Sequence, residues 1–214
     1  MIIAVDGPAA SGKGTIARRL AAHFGLPHLD TGLLYRAVGI GVLRAGGDPS
    51  SAADALAACG FGAAMLHDPQ LKSEAAGKAA SIVSAHPEVR AALFARQLDF
   101  ASQPGGAVLD GRDIGTVIAP HAAAKLFVTA TPEARAERRW RELTASGLAV
   151  DQKHVLTDIR ARDERDSVRS AAPLKMAGDA RLLDTTALDV EGAVAAALLL
   201  VERALHPAAN DGAR

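Results

Sequence analysis

Apolar and polar positions alternate in blocks that point to an α/β chain. Residues 2–5 form a short apolar run rich in β-branched side chains, the pattern of a strand buried on both faces. A glycine-rich turn follows over residues 7–14. Ile16, Leu20 and Phe24 then recur at helical spacing and predict a helix over residues 15–24. The strand pattern returns at 107–110, 125–129 and 181–184, with a weaker instance at 27–30. Asp189 is a good N-cap for a last helix carrying Val190, Val194, Leu198 and Val201. Strands alternating with helices predict a five-stranded parallel sheet with helices on both faces. Residues 207–214 read as a frayed tail.

Two segments exceed a simple strand–helix alternation. Residues 37–104 are longer than one crossover and carry two helical patterns, at 50–58 and 75–100. Residues 132–172 are dense in charge, with Arg135, Arg138, Arg139, Arg141, Arg160, Arg162, Arg165 and Arg169 set among acids. Both are expected to be insertions arching over one end of the sheet. The core of a single domain over residues 1–206 is then 1–36, 105–131 and 173–206.

Composition narrows the picture. Alanine fills 48 of 214 positions and aromatics only 3%, which favours helices packed through small side chains and disfavours a β-sandwich. With 24 basic and 24 acidic residues the net charge is zero, a poor basis for binding nucleic acid or an anionic membrane. The basic residues are lopsided, 18 Arg to 6 Lys. A GC-rich genome or a need to grip phosphate bidentately would each produce that bias. Cys59 stands alone, which excludes an internal disulfide and a Cys-based zinc site, and the seven His have no metal-ligand spacing. The longest apolar run, 193–201, is too short for a bilayer, and no signal-peptide pattern opens the chain. A soluble, cytoplasmic monomer is expected.

The strongest local signal is Gly7-Pro8-Ala9-Ala10-Ser11-Gly12-Lys13-Gly14-Thr15. Glycines let consecutive N–H groups turn inward on phosphate oxygens, the helix N-terminus faces the same anion, and Lys13 reaches the outer phosphates. Its place between a strand and a helix is the context that a phosphate-binding loop requires. The strict pattern has Ser or Thr directly after the Lys; here Gly14 intervenes before Thr15.

Three more stretches carry candidate chemistry. Thr31, Tyr35 and Arg36 follow the weak strand, where α/β sheets bind ligands; a capped helix start with Thr31 as the cap explains them equally well. Asp110 ends a buried strand and would support Mg²⁺, with Arg112 and Asp113 projecting beyond it. The plainer alternative there is a turn with an internal Arg–Asp pair. Arg162, Asp166 and Arg169 fall on one helix face, and Arg165 and Arg169 form a second i, i+4 pair. Blind to context, such a run reads as a solvated face.

Taken together, Asp-Gly-Pro-x-x-Ser-Gly-Lys-Gly-Thr, Leu-Asp-Thr-Gly-x-x-Tyr-Arg, Asp-Gly-Arg-Asp-x-Gly-Thr and Arg-Asp-x-Arg-Asp-x-x-Arg-x-x-Ala-Pro-Leu resemble bacterial cytidylate kinases, in order and spacing, from residue 2 to about 205. The resemblance implies a P-loop NTPase fold and Mg²⁺-dependent transfer of the γ-phosphoryl group of ATP to CMP or dCMP. Residues 37–104 become the CMP-binding insert and 132–172 a short lid. Gly7, Pro8, Ala9, Ala10, Ser11, Gly12, Lys13, Gly14 and Thr15 would hold ATP phosphates, with Arg138 and Arg139 on the ATP side. Thr31, Tyr35, Arg36, Arg112 and Arg169 would surround the CMP phosphate, and Arg162 and Asp166 the ribose. Ser81, Arg90 and Asp113 would read cytosine. Lys13, Arg112, Arg165 and Arg169 would act on the transferring group, and Asp110 and Thr15 would hold Mg²⁺.

The family commonly has a β-rich stretch in its CMP-binding insert. Here residues 61–72 are all that remains between the helical patterns. A kinase for another small acceptor, or a non-catalytic nucleotide switch, would share the phosphate loop but not the full arginine set. Trp140 is expected to pack within the lid.

Overall fold

The first strand of the chain is the centre of the sheet. In the computed structural model, which describes residues 1–206, β1 (Ile2–Asp6) lies between β3 (Ala107–Gly111) and β4 (Ala124–Thr129). β2 (His28–Asp30) flanks β3, and β5 (Arg181–Asp184) flanks β4. All four neighbouring pairs are parallel, with Val5 opposite Asp110 and Asp30 also opposite Asp110. Parallel strands covered on both faces explain apolar runs without alternation: Ile3, Ala4, Val5, Ala107, Val108 and Leu109 are all fully buried. The tail expected at 207–214 lies outside the described residues.

Helices α1 (Lys13–Phe24), α2 (Thr31–Arg44), α3 (Ala52–Ala57), α4 (Glu74–Val83), α5 (Pro87–Ala101), α6 (Pro132–Ala145), α7 (Gln152–Val168) and α8 (Val190–Leu205) fill the connections. Ile16 and Leu20 of α1 and Val194 and Val201 of α8 pack on Ile3, Val5, Leu126 and Val128. On the other face, Ala101 of α5, Ile114 and Ile118 cover Ala4 and Leu109. A separate cluster of Leu34, Val38, Val42, Val83, Val89 and Leu93 joins α2, α4 and α5. The α6–α7 pair closes around Ala136, Leu143, Val155 and Ile159, with Trp140 packed beside them. Its indole N–H donates to the Val150 carbonyl at 3.1 Å.

Four local expectations are corrected. The 75–100 pattern is two helices, because Pro87 holds His86 in an extended conformation (ψ 119°) and opens α5 as its first residue. Asp30, not Thr31, caps α2: its carboxylate accepts from the Gly32 N–H at 2.9 Å, while the Thr31 hydroxyl donates to the Asp110 carbonyl at 2.8 Å. α7 ends at Val168, so Arg169 (ψ 140°) leaves the helix face it was expected to share with Arg162 and Asp166. α1 begins at Lys13, two residues earlier than the apolar period indicates. Asp189 caps α8 as expected, accepting from Gly192 at 2.8 Å. Residues 61–72 form two tight turns, Ala63–His67 and Pro69–Lys72.

The alanine excess has a structural use at the α2–α4 contact. Ala37, Ala76, Ala79 and Ala80 are buried there, and a Cβ on Gly39 would lie 2.7 Å from the Ala79 Cβ. Gly39→Ala gains about 1 kcal/mol of helix propensity, but overpacking typically costs about 1–3 kcal/mol. A clash this short favours the second effect. The variant's urea midpoint is expected to fall; a raised midpoint would show the two helices to be loosely packed.

Candidate active site

Three strands end in carboxylates at the same edge of the sheet. Asp6 closes β1, Asp30 closes β2, and Asp110 is the penultimate residue of β3. Each has a partner, as a buried carboxylate requires. Asp6 accepts the backbone N–H groups of Ile114 and Gly115 at 2.8 and 2.7 Å. Burial raises its pKa to about 6, against the lowering effect of those two amides. Asp110 lies 2.7 Å from His28 Nε2. Burial, and then the charge of Asp110, raise the pKa of Asp30.

Beyond β1 the chain makes the phosphate loop. A Cβ at Gly7 would sit 2.0 Å from the Val128 carbonyl oxygen, so only glycine lets the loop leave against β4. Gly12 (φ 88°) and Ala10 (φ 58°) take left-handed backbone. For alanine that conformation is strained, on the order of 1 kcal/mol or more, and such strain gathers at functional loops. Lys13 is half-buried and its ammonium donates to the Pro8 carbonyl at 3.2 Å. Burial, and then the like charge of Arg112, lower its pKa to about 7. The buried Ser11 hydroxyl has no hydrogen-bond partner among the described residues. Thr15 opens toward Arg18, whose Nη2 donates to its hydroxyl at 3.2 Å.

The loop is braced from outside by residues that the motif reading missed. Arg135 of α6 donates to the Ala9 carbonyl at 3.2 Å and the Ala130 carbonyl at 2.8 Å. It also grips Asp163 of α7 with two hydrogen bonds of 2.9 and 2.6 Å. Thr185, after β5, donates to the Ser11 carbonyl at 3.0 Å, and Arg138 in turn donates to Thr185. Arg139 forms an ion pair with Glu142 on its own helix at 2.8 Å.

A cleft opens beside the loop. α2 supplies Thr31 and Tyr35, α4 supplies Ala80 and Ser84, and α5 supplies Arg90. Arg112 and Asp113 enter after β3, Arg162 and Asp166 from α7, and Arg169 from just beyond α7. Arg90 pairs with Asp113 and lies over the Tyr35 ring at 5.6 Å. Arg112 Nε donates to Asp166 at 2.8 Å. Burial alone would raise the pKa of Asp166, but Arg112 and Arg162 overcome it and hold the carboxyl below its ordinary value. Arg162 Nε and Arg169 Nη2 are buried without a hydrogen-bond partner among the described residues, although Arg169 Nη2 makes a long ion pair of 3.8 Å with Asp113. Desolvation, and then the neighbouring guanidinium of Arg112, lower the pKa of Arg162 to about 9. Burial, and then Arg90, lower that of Arg169.

Most sequence-derived candidates therefore converge. Ser81 is buried on α4 between the lining residues Ala80 and Ser84 but does not itself line the cleft; its hydroxyl accepts from Arg165 Nε at 3.2 Å. Arg36 points elsewhere: it donates to the Leu71 carbonyl at 2.7 Å and tethers the insert's turns. Ser84 was missed; its hydroxyl lies 3.5 Å from Arg169 Nη1. Neither Ser84 nor Arg135 sits in a motif, and only the charge density of residues 132–172 hinted at the second.

A family model for cytidylate kinase matches residues 3–203. The chain belongs to the cytidylate kinase family. The cytidylate kinase of Xanthobacter autotrophicus is 63% identical over 202 residues, covering 94% of this chain and 97% of that one. Those of Rhodopseudomonas palustris strain TIE-1 and Methylocella silvestris are 59% and 60% identical over 94% and 97% of this chain, and 96% and 100% of their own. The crystal structure of an uncharacterized protein from Eubacterium ventriosum superposes with a TM-score of 0.55 at 15% identity, covering 94% of this chain and 98% of that one. That likeness speaks for the fold. A cytidylate kinase is an enzyme, and the family's phosphoryl transfer is generally Mg²⁺-dependent.

The donor set suits Mg²⁺. Among the described residues no cluster of three or more His, Cys, Asp and Glu side chains forms a metal cage. Mg²⁺ needs only one or two carboxylates when phosphates complete its shell. Asp110 faces the loop, its oxygens 3.8 and 3.9 Å from where a Gly14 Cβ would stand. A cation there would relieve the repulsion between Asp110 and Asp30.

The depressed pKa of Lys13 gives a signed expectation. Above pH 7 the free lysine is mostly neutral, and a bound phosphate stabilises its charged form. ATP binding at pH 8 is therefore expected to take up most of a proton. Calorimetry in buffers of different ionisation enthalpy reads this, and Lys13→Met should abolish it. Uptake that persists in the variant would place the titrating group elsewhere.

Proposed function

We propose that this chain transfers the γ-phosphoryl group of ATP to CMP or dCMP, with Mg²⁺, giving CDP or dCDP. The observation that carries the reading is a pair of buried guanidinium nitrogens without a hydrogen bond, Nε of Arg162 and Nη2 of Arg169, beside carboxylates that other arginines hold more closely. Buried charged donors left without a hydrogen bond are costly, so a cleft that keeps two of them is built for a polar, anionic ligand.

ATP phosphates lie in the 7–15 loop, on the inward N–H groups and on Lys13. Arg138 and Arg139 flank the donor side. Asp110 and Thr15 hold Mg²⁺, which when bound neutralises charge on the phosphate oxygens. The CMP phosphate meets Arg112, Arg169 and Tyr35, with Thr31 at the edge and Arg36 after it swings from the insert's carbonyls. Arg162 and Asp166 hold the ribose. Asp113 accepts from the cytosine amino group, while Arg90 and Ser81 donate to its ring acceptors. The Ser81 oxygen already accepts from Arg165, which leaves its own proton for the base.

Phosphoryl transfer asks the protein for alignment and positive charge more than covalent chemistry. Lys13, Arg112, Arg165 and Arg169 supply that charge. The insert and the lid already touch through Ser81–Arg165 and Ser84–Arg169, which supports closure of both over the substrates. In this reading the enzyme works in the cytoplasm as a monomer.

A coupled assay for ADP with CMP, dCMP, UMP, AMP and shikimate tests the proposal. CMP or dCMP should be preferred over UMP by roughly a hundredfold or more in kcat/KM, since uracil places an acceptor against Asp113. Comparable values for UMP would contradict the base assignment. Asp166→Ala should raise the KM for CMP far more than that for ATP, and an effect on ATP alone would reverse the assignment of the two sides.

A further inference from the structure

Asp6 has no place among the proposed substrate contacts, although it is buried within the site's foundations. It is the last residue of β1, directly before Gly7 of the phosphate loop. Its two carboxylate oxygens are each taken by one amide, those of Ile114 and Gly115. These amides directly follow Arg112 and Asp113, which bind the acceptor in the reading above. The approach is tight. A Cβ on Gly115 would stand 3.3 Å from Asp6 Oδ2 and 3.1 Å from Lys125 Cδ. Lys125 closes the far side of the turn, its ammonium tied to the Pro120 carbonyl at 2.6 Å and to Asp179 at 2.7 Å.

We propose that Asp6 is a positioning residue: its carboxylate fixes the acceptor-binding turn 112–115 against the first residue of the donor loop, and so sets the register between the two substrates. The proposal rests on the CMP kinase reading. Two strands define where the substrates sit, and their backbone pairing ends at Asp6 and Gly111. Beyond that point the Asp6–amide pair is the bond that carries the alignment onward. The carboxylate suits the task because two converging N–H donors need two acceptor oxygens. Asn offers one oxygen and opposes the second N–H with its own donor.

Asp6→Asn is therefore expected to raise the KM for CMP by on the order of ten- to a hundredfold, because small misplacement of an acceptor is felt strongly. The KM for ATP should change less than about threefold, and the preference for CMP over UMP should shrink, since Asp113 moves with the turn. Gly115→Ala, which keeps Asp6 but pushes the turn away, should act in the same direction and covers the case in which Asp6→Asn does not fold. Hydrogen exchange at the Ile114 and Gly115 amides, measured without substrates, should accelerate in Asp6→Asn. Faster exchange with both KM values unchanged would reduce Asp6 to a structural anchor and overturn the proposal. Unchanged exchange, or an equal rise in both KM values, would overturn it too. Failure of the wild-type protein to phosphorylate CMP or dCMP would instead refute the parent reading, and the exchange result would then stand or fall alone.

Discussion

Positive charge held in a partly dry cleft is the constraint that organises this molecule. Arg90, Arg112, Arg162 and Arg169 crowd one opening beside Lys13, and burial alone would make such a cluster untenable. Asp113 and Asp166 compensate part of it, through Arg90 and Arg112. Asp113 also lies 3.8 Å from Arg169 Nη2, yet Arg162 and Arg169 each keep a buried N–H without a hydrogen bond, and desolvation and neighbouring cations disfavour their charged forms. A nucleotide is the natural completion, with its phosphate on Arg169 and its ribose on Arg162 in the proposed reading. The same logic governs the net charge: a chain of overall zero charge concentrates unmatched cations at one place and neutralises them elsewhere.

The fold makes that concentration possible because each element arrives with its charges already restrained. The central strand delivers the phosphate loop, and Gly7 allows the loop to leave beneath Val128 without collision. The helices bearing most of the arginines are not freely hung. Arg135 binds the loop's Ala9 carbonyl and Asp163 together, linking α6, α7 and the loop in one network. Arg36, by contrast, is engaged with the insert's carbonyls. It thus tethers the insert through Nη1 in this conformation.

Much of this was legible in the sequence, for identifiable reasons. Strands buried on both faces appear as unbroken apolar runs, and the glycine loop lies within nine consecutive residues, so both are local signals. The boundaries that went astray depend on less local effects. Pro87 broke a continuous helical period, and Asp30 rather than Thr31 capped α2 because Thr31 bonds across to β3. Arg169 left its helix at the last residue, which a simple i, i+4, i+7 count does not detect. The Arg135–Asp163 pair and the Asp6–amide contact were invisible for another reason: their partners are 28 and more than 100 residues apart. The alanine excess, read as favouring helices packed through small side chains, has that use at the α2–α4 contact around Gly39.

The claim that the cleft is completed by a phosphate can be tested without turnover. Thermal unfolding is compared in saturating CMP and in equally concentrated cytidine, at fixed pH and salt. A ligand that binds only the folded state raises its stability in proportion to its affinity. The account predicts a clear rise in Tm with CMP, little with cytidine, and loss of most of the difference when Arg169, a proposed phosphate contact, is replaced by Met. Equal stabilisation by cytidine and CMP would mean that the nucleoside carries the binding, and that Arg169 is not waiting for an anion.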